Sequence, residues 1–506
     1  MSRRLSGLGI ALLFTLTGFR PLPSGAATLE RAPSPDPARQ IELLLSRLGR
    51  YRDGLERSAR PISLQEALRM GLSANPTLRQ SWEAVRQADW SVVAIQREWW
   101  PSLIAGSDDP GILGWTTTTT RERIRGPQGN SRSVTVSGGQ SSLPNLTLSW
   151  TFLDPSRRSR GNAARSEQVA RRFLFDVDAR DLILRIQSAY VLLQEQAELE
   201  RDYRGLYDNL TALLAEGMPR GGDRGRIDQL RTEQLALLTL RIQAHENVIV
   251  AANALAQALA LPSGQLTMPN EPLALLGRWD LPLQATIEQA LRLREEIQAS
   301  VASAGGDAWS ARARQRGYLP TLSLAGQLSG TTANTAGGSL IGAFQATSSL
   351  SRQIESQLGI GFDWTIFDGG ILSAEASALR SRSRQALDQA DLDRLSVTRQ
   401  VQDNHAALLS SLIVVEVTGE QLAVARSSLA AASRDFRSGR GDATRVVQAL
   451  NASRDAATSY RGAVRKHNTA IAGLQRHSAV WPEGTWSLLT AAFPEQALPL
   501  SPLPAP

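Results

Sequence analysis

Two runs of about 60 residues without an internal proline constrain this chain more than any other feature. One starts at Asp154-Pro155 and reaches about Ala215; the other starts at Asp368-Gly369 and reaches about Arg437. As helix each would be ~90 Å long at 1.5 Å per residue, which no compact domain houses easily. Their apolar spacing is that of helices packed side by side: Leu182, Ile186, Ala189 and Leu193, then Leu206, Leu210 and Leu213. The last predicted helix has a seam through Val446, Leu450, Ser453, Ala457, Tyr460, Val464, His467, Ile471 and Leu474, so His467 reads as a packed side chain rather than a ligand. Asp154 and Asp368 sit where N-caps belong, with Pro155 and Gly369 as first helical residues.

Each rod follows an alternating stretch. Leu146, Leu148, Trp150 and Phe152 share one strand face; in the second copy Leu358, Ile360, Phe362, Trp364 and Ile366 oppose Gly359, Gly361, Asp363 and Thr365. An apolar face opposite a small or polar one, over about ten residues, suits an outer-membrane barrel strand. A half-buried strand of a soluble sandwich alternates in the same way, and the long rods tip the balance. A further strand is expected after each of Pro101 and Pro320, with Gly-, Ser- and Thr-rich loops over 107–142 and 329–352. Upstream lie "SLQEALRMGLSANPTL" and "TIEQALRLREEIQASV", with Ser63 and Thr286 as N-caps and Glu66 and Gln289 three residues on. Trp90 precedes Pro101 by 11 residues, and Trp309 precedes Pro320 by 11. Caps, tryptophans, prolines and strand ends recurring in one order predict a tandem duplication.

The fold class expected is an α+β membrane protein: a long coiled-coil-like helical tunnel plus a β-barrel of four strands per protomer, in two tandem repeats. Four strands cannot close, and an open edge in lipid leaves backbone groups unpaired at several kcal/mol each. Three copies would supply twelve strands, so a homotrimer is expected. Trp99, Trp100 and Tyr318, just before the strands, would lie at the lipid interface. The boundaries read are 1–27 signal peptide, 28–61 irregular segment, 62–262 first repeat, 263–284 linker, 285–482 second repeat and 483–506 disordered tail.

Residues 1–27 have the charged start, apolar run and small-residue end of an export signal. No later run of eighteen apolar residues offers a transmembrane helix. The chain has no cysteine and four scattered histidines, and its net charge of +7 is carried by arginine, Lys466 being the only lysine. Interleaving with Asp and Glu makes this a solvated surface rather than a nucleic-acid face. Neither a nucleophile elbow nor a Walker loop nor a paired-histidine site occurs, so no enzyme, metal site or cofactor is expected.

The "LPTLSL" and "WTIFDGG" stretches, the tandem halves and "FRSGRGDATRVVQALNASRDAATSY" together resemble the TolC-like outer-membrane efflux proteins. The resemblance implies an outer-membrane barrel continued into the periplasm by a helical tunnel. Such a duct serves a tripartite efflux pump or type I secretion, with a periplasmic adaptor and an inner-membrane transporter as partners. It also implies a gate at the helix tips: 217–225 in the first repeat, with Arg220, Asp223, Arg224, Arg226 and Asp228, and Gly439, Arg440, Gly441, Asp442 and Arg445 in the second. Where some members carry two acidic residues one helical turn apart, Gln448 and Asn451 match here, and salt bridges from Asp228 or Asp442 to Arg226, Arg440 or Arg445 are the expected latch. The junction residues by the same reading are Trp150, Asp154, Pro155, Trp364, Asp368 and Gly369. A secreted or periplasmic coiled-coil scaffold is the alternative.

Overall fold

The computed structural model describes residues 59–106, 116–126, 129–140, 145–216, 224–339 and 345–494, with single positions between 43 and 57. The signal peptide, tip residues 217–223, including Asp223, and the end from 495 lie outside the described residues. The chain divides into Met1–Ser58 and Ala59–Pro506. In the first unit the described positions, among them Leu43, Leu44 and Arg50, are helical, so the segment expected to be irregular over 28–61 contains helix.

The second unit runs β1 (Arg60–Ile62), α1 (Leu64–Ala74), α2 (Pro76–Arg97), β2 (Ser102–Gly106), β3 (Thr116–Gly126), β4 (Gly129–Gln140), β5 (Asn145–Leu153), α3 (Arg157–Ala215) and α4 (Arg224–Ala258). It continues with β6 (Thr267–Pro269), α5 (Leu283–Leu293), α6 (Glu295–Arg316), β7 (Thr321–Ser339), β8 (Gln345–Asp363), α7 (Ile371–Arg437), α8 (Ala443–His477) and α9 (Thr485–Ala492). The two proline-free rods are α3, 59 residues, and α7, 67 residues. Helix α3 packs on α2 and α6 and then on α4 and α8, while α7 packs on α6 and then α8. The wall therefore has four columns in the order α2/α4, α3, α6/α8, α7, each long helix spanning two shorter ones. Alanine and serine at the contacts (Ala170, Ala302, Ser159, Ser166) let the axes approach closely.

The strands repeat the column order, β2–β5–β7–β8, all antiparallel. Instead of four strands the sheet has six among the described residues, because residues read as loop form the hairpin β3–β4 and the outer halves of β7 and β8. The inner half of β7 pairs β5 from Leu322↔Leu153 to Leu328↔Leu146, and its outer half pairs β4 from Thr332↔Gln140 to Ser339↔Ser133. Runs such as Thr116–Thr120 are β-branched, and β-propensity with ladder pairing overrides their loop-like polarity. The even positions of β8 and the residues after it, Leu350, Ile354, Leu358, Ile360, Phe362 and Trp364, form one exposed apolar stripe, 54 to 74% accessible.

The principal core lies beside the middle of the wall, where Ile62, Leu68, Leu72, Leu78, Phe175, Ile186, Tyr190, Leu255 and Leu489 are buried together. Two expectations change here. The tail from 483 was expected to be disordered, but α9 inserts Leu489 and Phe493, four residues apart, against Phe175 and Trp82. Thr286 is not an N-cap, because α5 starts three residues earlier and the Thr286 hydroxyl donates to Pro282 O at 3.1 Å. Ser63 does cap α1, accepting from Glu66 N at 3.2 Å.

Candidate functional site

At the strand end of the wall, both aspartates hold a turn into a long helix. Asp154 Oδ1 accepts from Ser156 N at 2.8 Å and Ser156 Oγ at 2.7 Å, and Oδ2 accepts from Arg160 Nη2 at 2.9 Å. Asp368 accepts from Gly370 N and Leu372 N, each at 2.8 Å, and from the Tyr318 hydroxyl at 2.9 Å. These bonds, that from Leu372 N foremost, hold the Asp368 carboxyl below its ordinary pKa. The helices begin slightly later than expected, at Arg157 and Ile371, so Pro155 and Gly369 lie in the turn. Gly369 (φ 70°) and Gly370 (φ 89°) are left-handed, a conformation that strains residues with a Cβ.

The tryptophans make matching bonds. Trp150 Nε1 donates to Trp99 O at 2.8 Å, and Trp364 Nε1 donates to Tyr318 O at 2.9 Å. Trp99 and Tyr318 each stand two residues before the proline that ends a short helix, so each indole ties a strand to the helix feeding its neighbour. Trp99 and Trp100 are 53% and 72% exposed, whereas Tyr318 spends its hydroxyl on Asp368.

At the other end, α7 closes with a glycine turn. Arg440 N donates to Asp435 O at 3.0 Å and Gly439 N to Phe436 O at 3.0 Å, with Gly439 at φ 72°, the paired bonds of a Schellman cap. A Cβ on Gly441 would lie 2.7 Å from Phe436 N, so only glycine fits. Asp442 occupies the N-cap of α8 without a side-chain capping bond, and its Oδ1 lies 3.3 Å from Arg226 Nε on α4. Arg437 Nε and Glu216 Oε2, 2.6 Å apart, join the same two hairpins. Both pairs are about half exposed, so each is worth roughly 0–1 kcal/mol. Arg445 faces Asp435 at 3.7 Å. Asp228 and Arg440 make no ion pair among the described residues. Gln448 is exposed, and Asn451 Oδ1 is buried without a hydrogen-bond partner. Beneath these contacts Leu206, Leu210, Leu213, Leu230, Leu237, Val446 and Leu450 form an apolar core.

Between the ends lies an ionic cluster that the sequence did not reveal. Glu296 accepts from Arg294 Nη2 at 2.8 Å and Arg476 Nη2 at 2.5 Å, Arg476 Nε donates to Asp181 at 2.5 Å, and Arg180 pairs with Glu295 at 2.8 Å. Burial alone would raise the Glu296 pKa, but Arg294 and Arg476 outweigh it and hold it at about 2. His477 is pushed down to about 4 by burial and by the charges of the same two arginines. These partners are up to 295 residues apart in sequence, and no local pattern announces them.

Residues 286–477 match the family model described as outer membrane efflux protein. Among solved structures, the fold is similar to the Campylobacter jejuni CmeC outer membrane channel, with a TM-score of 0.64 and 15% identity over 85% of this chain and 89% of that one. It is likewise similar to the open-state Neisseria gonorrhoeae MtrE outer membrane channel (TM-score 0.62, 17% identity, 82% and 88% covered) and the Vibrio cholerae outer membrane protein VceC (0.61, 14%, 82% and 95%). No curated protein matches the sequence. The fold is thus that of outer-membrane channels with a helical tunnel. The likeness to the outer membrane efflux protein family model covers residues 286–477, and the likeness of fold to outer-membrane channels covers more than four fifths of the chain.

Proposed function

We propose that the chain is the passive exit duct of an efflux system, seated in the outer membrane and extending into the periplasm. The observation that carries this reading is the matched order of helix columns and strands. It leaves β2 and α2/α4 free on one side of the wall, and β8 and α7 free on the other. Leu103 and Ile104 on β2, Leu358 and Ile360 on β8, and Leu395, Ile413 and Val417 on α7 are exposed apolar side chains along these margins. A head-to-tail contact between unlike edges closes into a ring when the rotation allows it. Three copies would close twelve strands, β2, β5, β7 and β8 from each, over a twelve-column tunnel, which removes every open edge in lipid. In this reading the two halves descend from a duplication, Trp99, Trp100 and Tyr318 lie near the inner lipid interface, and β3–β4 projects outside. A periplasmic adaptor and an inner-membrane transporter would supply cargo and energy; no cofactor or catalysis is implied.

The tip is the gate of this reading. The Arg226–Asp442 and Glu216–Arg437 pairs hold the hairpins together weakly enough to part. Asp442 therefore serves as the latch carboxylate, and Asp228 is left without a role in it. The test is planar-bilayer conductance of the detergent-purified protein together with its native mass. We expect a trimer with small conductance that rises several-fold in the Asp442→Ala/Arg437→Ala double variant. A trimeric pore indifferent to these substitutions would discard the latch. A monomer without conductance would leave the coiled-coil scaffold.

A further inference from the structure

A cleft of about 470 Å³ opens just above the tip, between α3 and α7, with Ser453 and Ala457 of α8 on its floor. Four arginines line it: Arg201, Arg426, Arg434 and Arg437. Its one lining carboxylate, Asp202, is already committed to Arg426 at 2.9 Å and Arg461 at 3.0 Å. Arg201 pairs with Glu198 at 3.0 Å and Arg437 with Glu216. Five arginines thus face three carboxylates, and Arg434 makes no ion pair among the described residues. Leu206, Leu429 and Ala430 form an apolar patch beside these charges, and Gly205 and the 3% exposed Ser453 keep the floor low. A guanidinium fork offers two parallel N–H donors, a geometry that matches a carboxylate.

We propose that this cleft binds an amphiphilic organic anion, a carboxylate carried on a small apolar body, with Arg434 as its principal cation. Resting on the duct reading above, the site also names a class of cargo, because it stands at the inner end where cargo enters. The apolar body lies on Leu206 and Leu429, while the carboxylate neutralises the surplus charge. An uncharged analogue of the same shape gains only the apolar part.

The probes are benzoate and its neutral isostere benzamide, titrated calorimetrically into the full-length detergent-solubilised protein at 0.1 M salt. We expect saturable benzoate binding, no measurable benzamide binding, and roughly tenfold weaker benzoate binding in Arg434→Gln, the order expected for losing one charge-assisted pair. Arg434→Lys, which keeps the charge and loses the fork, should fall between. Equal binding of the two probes, or unchanged benzoate affinity in Arg434→Gln, would overturn the site. Bilayer recordings separate the two readings: benzoate should reduce the current of the wild type more than that of Arg434→Gln. Protein that binds benzoate but never conducts would overturn the cargo assignment and the duct together while leaving the site.

Discussion

Glu296 and His477 respond to acid in the same direction for different reasons. Glu296 is ionised in the folded state down to about pH 2 by Arg294 and Arg476, against an ordinary 4.5. Its stabilising contribution is fully present above 4.5 and is lost as the pH falls towards 2. His477 has its pKa lowered from 6.5 to about 4. Between those values the unfolded chain takes up a proton that the folded chain refuses, so stability declines from about pH 6.5 and levels off near 4. After burial, the charges of Arg294 and Arg476 press the imidazole towards its neutral form, and the carboxylates of Glu296 and Asp181 offset them only in part. Thermal melting followed by circular dichroism from pH 8 to 2 should show a two-stage fall. His477→Gln should flatten the limb from 6.5 to 4 while leaving the lower one.

At the scale of elements, the mid-wall core depends on α9 and the Phe493 that follows it, which come after the last wall helix, α8. Phe493 is 7% exposed, its ring centroid 5.2 Å from that of Phe175 and 5.5 Å from that of Trp82. Truncating such a ring to alanine removes burial and leaves a cavity, costing about 3–5 kcal/mol. Phe493→Ala should lower the denaturation midpoint by that order, read as loss of the mid-wall core. Trp82 fluorescence should redden as its packing opens. The long helices, by contrast, gain stability along their whole length from many small contacts, such as Ala376, Ala390, Val397 and Val401 on α7. Single alanine or valine changes there should be tolerated more easily.

For the whole molecule, the open margins make a geometric prediction. Because the chain has no cysteine, introduced thiols report without background. A variant carrying Leu103→Cys on β2 and Leu358→Cys on β8 should form covalent dimers and trimers with a short bifunctional thiol reagent in outer-membrane preparations. Each single variant should yield no covalent dimer, since a head-to-tail ring brings unlike edges together. Covalent dimers from either single variant would mean that like edges meet, and the strand order proposed for the barrel would fail.

Local chemistry made the long helices legible. Absence of proline, a coiled-coil period and aspartates at the strand ends act over a few residues each, so α3, α7 and the handovers at Asp154 and Asp368 could be read from the chain alone. So could the order of elements. Tertiary structure decided the rest. Polar Thr- and Gly-rich runs became strands because β7 offered a ladder to β4 and β8, and β4 in turn to β3, a long-range term that composition does not carry. Residues 485–492 became α9 because Phe175 and Trp82 were waiting more than 300 residues earlier in the chain. Arg226 met Asp442, and Arg476 met Asp181 and Glu296, only when four columns aligned. An ion pair is a relation between positions in space, and sequence spacing fixes such a relation only within a helical turn or across a tight hairpin.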